Sequence, residues 1–103
     1  MVIPSELREY RTSGAALSRE LDVSPWHCEF WPLSQVETRN QQYEVPVNAP
    51  GYLGFGTSGG DEMYAFSPRG DIVCLAFIGM SPREELPVAP SWGAFKGMLS
   101  DAV

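Results

Sequence analysis

The sequence predicts a domain of mixed helix and strand, organised around an antiparallel meander in its second half. Three observations predict it. The stretch from Pro50 to Phe77, PGYLGFGTSGGDEMYAFSPRGDIVCLAF, holds three short apolar runs separated by two turn signals. A proline-led segment with Leu7 and Tyr10 three residues apart opens the chain as a helix. A serine-capped segment with Trp92, Phe95, Met98 and Leu99 on one helical face closes it.

The first helix is expected from Pro4 or Ser5, because proline suits a first turn and Glu6 and Glu9 favour the positive end of the helix dipole. Gly14 supplies its stop. Residues 15–25 leave two readings open: Leu17, Leu21 and Val23 line either a short strand or an irregular loop. Trp26 to Trp31 alternates as a strand, with Trp26, Cys28 and Phe30 on one face and His27, Glu29 and Trp31 on the other. In the second helix, Ser34 and Glu37 have capping-box spacing. Its narrow apolar face is Leu33, Val36, Tyr43 and the stem of Arg39 or Asn40. Pro46 must end that helix.

The meander strands are expected at Tyr52–Gly56, Glu62–Phe66 and Asp71–Ile78. Thr57-Ser58-Gly59-Gly60-Asp61 and Ser67-Pro68-Arg69-Gly70 form the turns, since glycine accepts positive φ and proline presets a turn. Ser81 to Pro90 reads as a proline-rich connection, and residues 91–100 as the last helix. No repeat, interdomain linker or low-complexity tract interrupts the chain, and 103 residues make one domain, 1–103.

Composition narrows the function. A 44% hydrophobic content with three tryptophans argues for a folded globule rather than a disordered tail. Thirteen acidic against seven scattered basic residues give a net charge of −6, which disfavours nucleic acid and favours encounter with basic proteins. The N-terminus lacks the apolar core of a signal peptide, and the longest apolar run, Ile72 to Ile78, is too short to span a bilayer. Cys28 and Cys74 are too few for a disulfide scaffold and too far apart for a metal knuckle. Two reduced thiols in a cytoplasmic protein are expected.

Residues that could do chemistry are scarce. Gly54-Phe55-Gly56-Thr57-Ser58-Gly59 spells G-x-G-x-x-G, but that motif cradles a pyrophosphate only when it leads into a helix. Here strand alternation follows from Glu62. His27 beside Cys28 invites a thiol–imidazole pair, yet neighbours on a strand point to opposite faces. A zinc site would need His27, Cys28, Cys74 and a carboxylate to converge without a spacing signature. No catalytic residue, metal or cofactor is expected, and the chain reads as a binding module.

Several segments together resemble one family. Pro4-Ser5-Glu6-Leu7-Arg8-Glu9-Tyr10 is similar to a proline-led helix, with Ser13-Gly14 where an asparagine-glycine turn is usual. Phe30-Trp31-Pro32-Leu33-Ser34-Gln35-Val36 looks like a strand-to-helix passage, with Asn40 at a common asparagine position. Phe55-Gly56-Thr57-Ser58-Gly59-Gly60-Asp61 with Tyr64-Ala65-Phe66 is the most specific match, and Ala89-Pro90-Ser91-Trp92-Gly93-Ala94-Phe95 with Leu99 resembles a closing helix. On these segments the chain resembles the SUKH superfamily of the Smi/Knr type.

The resemblance implies an α+β fold, a twisted antiparallel sheet of about four to six strands packed against helices. It also implies a protein-binding role. Bacterial members are regarded as immunity proteins that neutralise a cognate toxin, here by steric occlusion, while fungal relatives regulate cell-wall synthesis. A small-ligand or regulatory domain using the concave side of the sheet is the alternative. The acidic pairs Asp61-Glu62 and Glu84-Glu85 are either solvated turns or contacts for a basic toxin surface. Of Trp26 and Trp31, on opposite strand faces, one is core and the other an interface anchor; Trp31 is the expected anchor. The helix that usually precedes the proline-led one is missing from a chain opening at Met1. That leaves apolar strands to cover, so self-association as a dimer is expected.

Overall fold

The computed structural model describes residues 3–101, with Asp101 as backbone alone. Met1, on which the expectation of a missing leading helix rests, lies outside the described residues. The chain runs α1 (Ser5–Thr12), β1 (Ser18–Leu21), β2 (His27–Phe30), α2 (Val36–Gln42), α3 (Val45–Asn48), β3 (Leu53–Thr57), β4 (Glu62–Phe66), β5 (Ile72–Ala76), β6 (Leu86–Ala89), α4 (Trp92–Gly97) and β7 (Leu99–Asp101). Single 3₁₀ turns lie at Leu33–Gln35 and Pro82–Glu84.

All seven strands join one antiparallel sheet in the order β6-β5-β4-β3-β2-β1-β7. The fold is α+β as expected, with seven strands rather than four to six. The extra strands fall where the sequence reading was weakest. Residues 15–25 resolve into β1, and the end of the expected 91–100 helix becomes β7, because the helix stops at Gly97 and Leu99 pairs with Leu21. Within the expected proline-rich connection lies β6, where Pro87 is tolerated because an edge strand asks nothing of its outward side.

The meander is as expected: β3, β4 and β5 pair in sequence, with turns at Ser58–Asp61 and Ser67–Asp71. The G-x-G-x-x-G stretch runs through β3 into a turn and then into strand β4, not a helix. Gly56 is needed for close approach of neighbouring backbone, and Gly54 leaves room for the buried Met63 side chain. A Cβ at Gly54 would meet the Met63 sulfur at 2.3 Å, and one at Gly56 would meet the Glu29 carbonyl oxygen at 2.6 Å.

Each sheet face has its own helical cover. On one face Phe30, Phe55, Tyr64 and Phe66 pack against Tyr10 of α1 and Trp92 and Phe95 of α4. Ring centroids there lie 5.2–6.4 Å apart, the range in which tilted and edge-on pairs attract. Ser91 caps α4, its Oγ accepting from Ala94 N at 3.1 Å. On the opposite face sit α2 and α3, with Val36, Asn40 and Val45 buried. The capping box expected at Ser34 does not form; a 3₁₀ turn precedes α2, and no side chain caps either. The apolar strands expected to need a dimer partner are buried within one chain: Leu53–Gly56, Met63–Phe66 and Ile72–Leu75.

Asn40 ties the second helical layer to the sheet. Fully buried, it accepts from Gly54 N at 2.8 Å through Oδ1 and donates through Nδ2 to Gly54 O at 2.8 Å and Val36 O at 2.7 Å. Replacing it leaves two buried backbone groups unpaired, each costing roughly 1–3 kcal/mol. Asn40→Ala should therefore lower the unfolding free energy by about 2–4 kcal/mol, read as a lower urea midpoint at unchanged slope.

Candidate functional site

The β1–β2 hairpin positions the most exposed tryptophan. Glu20 pairs with His27 across the hairpin, and Leu21 N donates to Trp26 O at 2.9 Å. Trp26 N donates to Val23 O at 2.8 Å, and Asp22 N to Met98 O at 3.2 Å. These bonds hold Trp26 at φ 72°, a left-handed conformation that is a genuine outlier for a bulky residue. Its side chain is 59% exposed. A large indole held in a strained backbone and turned to solvent has no packing reason to be there.

Trp31, the expected anchor, is 5% exposed. The correction has a clear cause. Strand alternation begins only at His27, so the left-handed Trp26 leaves the register that would have put it in the core. Trp31 is covered instead: Tyr43 stacks on it at 5.9 Å, and the Arg39 guanidinium sits 5.6 Å from its ring centre. Arg39 in turn donates to Gln35 at 3.0 Å. Beside this stack the surface opens into two neighbouring clefts of about 370 and 320 Å³, both lined by Glu29, Trp31, Arg39 and Thr57.

The acidic pairs separate. Asp61 and Glu84 are exposed. Glu85 is committed within the fold: it accepts from Tyr52 Oη at 2.9 Å and from Arg69 at 2.8 and 2.9 Å. Accepting from the Ser67 hydroxyl, and lying beside that same guanidinium, holds the Asp71 carboxyl below its usual range. Glu62 lines a cavity of about 210 Å³ between the hairpin and the β5–β6 edge, with Pro25, Cys74, Leu86 and Pro87 among its walls. No hydrogen bond joins either acidic pair to the other among the described residues.

His27 and Cys28 point to opposite faces. The imidazole lies 3.3 Å from Glu20 Oε1 and 3.4 Å from Ser18 Oγ, while Cys28 is buried in the core. Burial pushes the Cys28 thiol well above its ordinary value. Burial and the nearby Glu62 carboxylate push Cys74 up to about 12. Both thiols are free. Among the described residues no three His, Cys, Asp or Glu side chains converge as a metal site.

A family model described as the SMI1 / KNR4 family (SUKH-1) matches residues 1–97. The chain belongs to this SMI1 / KNR4 family. No curated protein matches it. The segments that carried the resemblance to the SUKH superfamily are mostly structural: Asn40 ties α2 to Gly54, Phe55 sits in the aromatic core, and Ser91 caps α4. Among described residues of this SUKH-1 domain, no helix is long and apolar enough to cross a membrane. The sequence reading missed Trp26 as an exposed residue and the cavity around Glu62. One signal was present, the Ser24-Pro25 turn dipeptide directly before Trp26.

The thiols make a pH prediction. Unfolded, each loses its proton near the ordinary value of 9.0, whereas folded Cys74 holds it to about 12. The folded state then binds more protons, so stability is complete below pH 9 and falls as pH rises toward 12. Replacing Cys74 with Ala should flatten this alkaline loss in denaturation midpoints measured from pH 8 to 11. Disulfide reagents at pH 8 should modify neither thiol in the native protein and both after unfolding.

Proposed function

We propose that this protein binds a partner protein and blocks it sterically, as an immunity protein blocks a toxin domain, and that it performs no catalysis itself. Membership of the SMI1 / KNR4 family supports this reading. The observation that carries it is Trp26, exposed and strained on a hairpin braced by three backbone hydrogen bonds. Exposed aromatics of this kind dominate binding energy where they enter a partner's pocket. Leu86 is also exposed and lines the cavity shared with Pro25, the neighbour of Trp26, so the apolar surface extends beyond one residue. A net charge of −6 would steer a basic partner toward it. The one histidine is held between Glu20 and Ser18, and both thiols are buried and kept protonated. A blocking mechanism needs none of them.

The test is affinity capture from the native cell with wild-type protein and Trp26→Ala as parallel baits. One basic protein should be recovered by the wild type, and Trp26→Ala should bind it about tenfold or more weakly at unchanged thermal stability. Raising salt from about 50 to 500 mM should slow association about tenfold and change dissociation little. Equal affinity of both baits would remove Trp26 from the interface.

The clefts beside Trp31 favour a second reading, a small-ligand domain. Arg39, Thr57 and Glu29 supply polar groups around an aromatic floor of Trp31, Tyr43 and Phe77. Under this reading a ligand displaces Arg39 from the Trp31 ring, and Arg39→Ala alters its affinity while leaving protein capture intact.

A further inference from the structure

Glu62 is placed unlike the other acidic residues of the meander. It begins β4, opposite Ala76, and lines the cavity of about 210 Å³ between the β1–β2 hairpin and the β5–β6 edge. Among the described residues its carboxylate has no side-chain hydrogen bond and no ion pair; only its main-chain oxygen is used, by Ser58 and Thr57. Its charge raises the pKa of Cys74 and of Tyr64, so its field reaches inward without a cation to compensate it. Most of the surrounding walls are apolar, Pro25, Leu86, Pro87 and Val88, with Ser24 and the Cys74 thiol beside them. A carboxylate beside a cavity with mostly apolar walls pairs well with a cation that enters the cavity.

We propose that this opening is a socket for one lysine or arginine side chain of the partner, with Glu62 pairing its cationic head and Pro25, Leu86 and Pro87 covering its aliphatic stem. The inference rests on the protein-binding reading and names the chemistry of that interface. Long basic side chains combine an apolar stem with a charged end, which matches the apolar walls and the single carboxylate around this opening. The neutral Cys74 thiol on its wall adds no competing charge. Trp26 follows the wall residue Pro25 in the chain and is exposed, and an indole face also attracts a cation. A second acidic copy of this chain is disfavoured as the occupant by mutual repulsion at −6 each.

Three blocked tripeptides probe the socket: acetyl-Gly-Lys-Gly amide, its arginine counterpart, and its norleucine counterpart, which keeps the stem and lacks the charge. Each is titrated into ¹⁵N-labelled protein. The basic peptides should shift the Trp26 indole signal and the amides of Glu62, Leu86 and Val88 in a saturable way. Norleucine should bind about tenfold more weakly. Glu62→Gln should remove the difference between lysine and norleucine, at unchanged or raised thermal stability, since it deletes an uncompensated charge. Equal binding of lysine and norleucine, or Glu62→Gln indistinguishable from wild type, would overturn the socket. So would a captured partner that binds wild type and Glu62→Gln with the same affinity, an outcome that leaves the protein-binding reading standing. Failure to capture any partner while the tripeptides bind as expected would strike that reading and not the socket.

Discussion

The pairing of Asn40 with Gly54 is the contact on which the two-layered arrangement rests. Strand β4 accompanies β3 along its length, whereas β2 pairs with it only at Glu29↔Thr57 and Phe30↔Gly56. The outward N–H and C=O of Gly54 would therefore be unpaired inside the molecule. The Asn40 amide offers an acceptor and a donor in the geometry of a neighbouring strand residue, and it fills that gap from a helix. Aspartate lacks the donor and glutamine would need more room. The same helix brings Arg39 and Tyr43 over Trp31.

Some of this was legible in the sequence. The meander declares itself because apolar runs of strand length alternate with turns that only glycine, proline and small polar residues form easily. Strands β1 and β7 do not, for they contribute four and three residues, and β7 holds its place only through pairing with β1. A helix-period pattern from Trp92 to Leu99 also fits a helix that ends early, because Leu99 packs against the core from the strand as well. What ends α4 at Gly97 is the demand of β1 for a partner, a long-range effect that local periodicity does not contain.

The candidate surface was less legible, and for particular reasons. Alternation assigns faces only while the backbone stays extended, and Trp26 leaves it at φ 72°. A rule that is right for His27 through Phe30 thus fails by one residue, and the exposed and buried tryptophans exchange places. Glu84 and Glu85 look equivalent in sequence. Arg69, sixteen positions away in the chain, makes them different by taking Glu85 into a network with Tyr52. The vacancy around Glu62 arises where the hairpin tip and the β6 edge come together, and neither segment signals it alone.

Stability and recognition are separated in space. The aromatic cluster of Phe30, Phe55, Tyr64, Trp92 and Phe95 lies under α1 and α4, and the Asn40 contact lies on the other face. The Trp26 hairpin and the Glu62 opening stand apart from both, linked to the core by the Tyr64 hydroxyl donating to the His27 carbonyl at 2.7 Å and by the backbone bonds of the loop. Side-chain changes at Trp26, Asp22 or Leu86 therefore remove little buried area, while a change at Phe55 or Asn40 opens the core. A fold built this way can alter which partner it fits without altering how it folds. The strained residue is kept because the hairpin over-determines it with main-chain bonds, which are indifferent to the side chain presented at the tip.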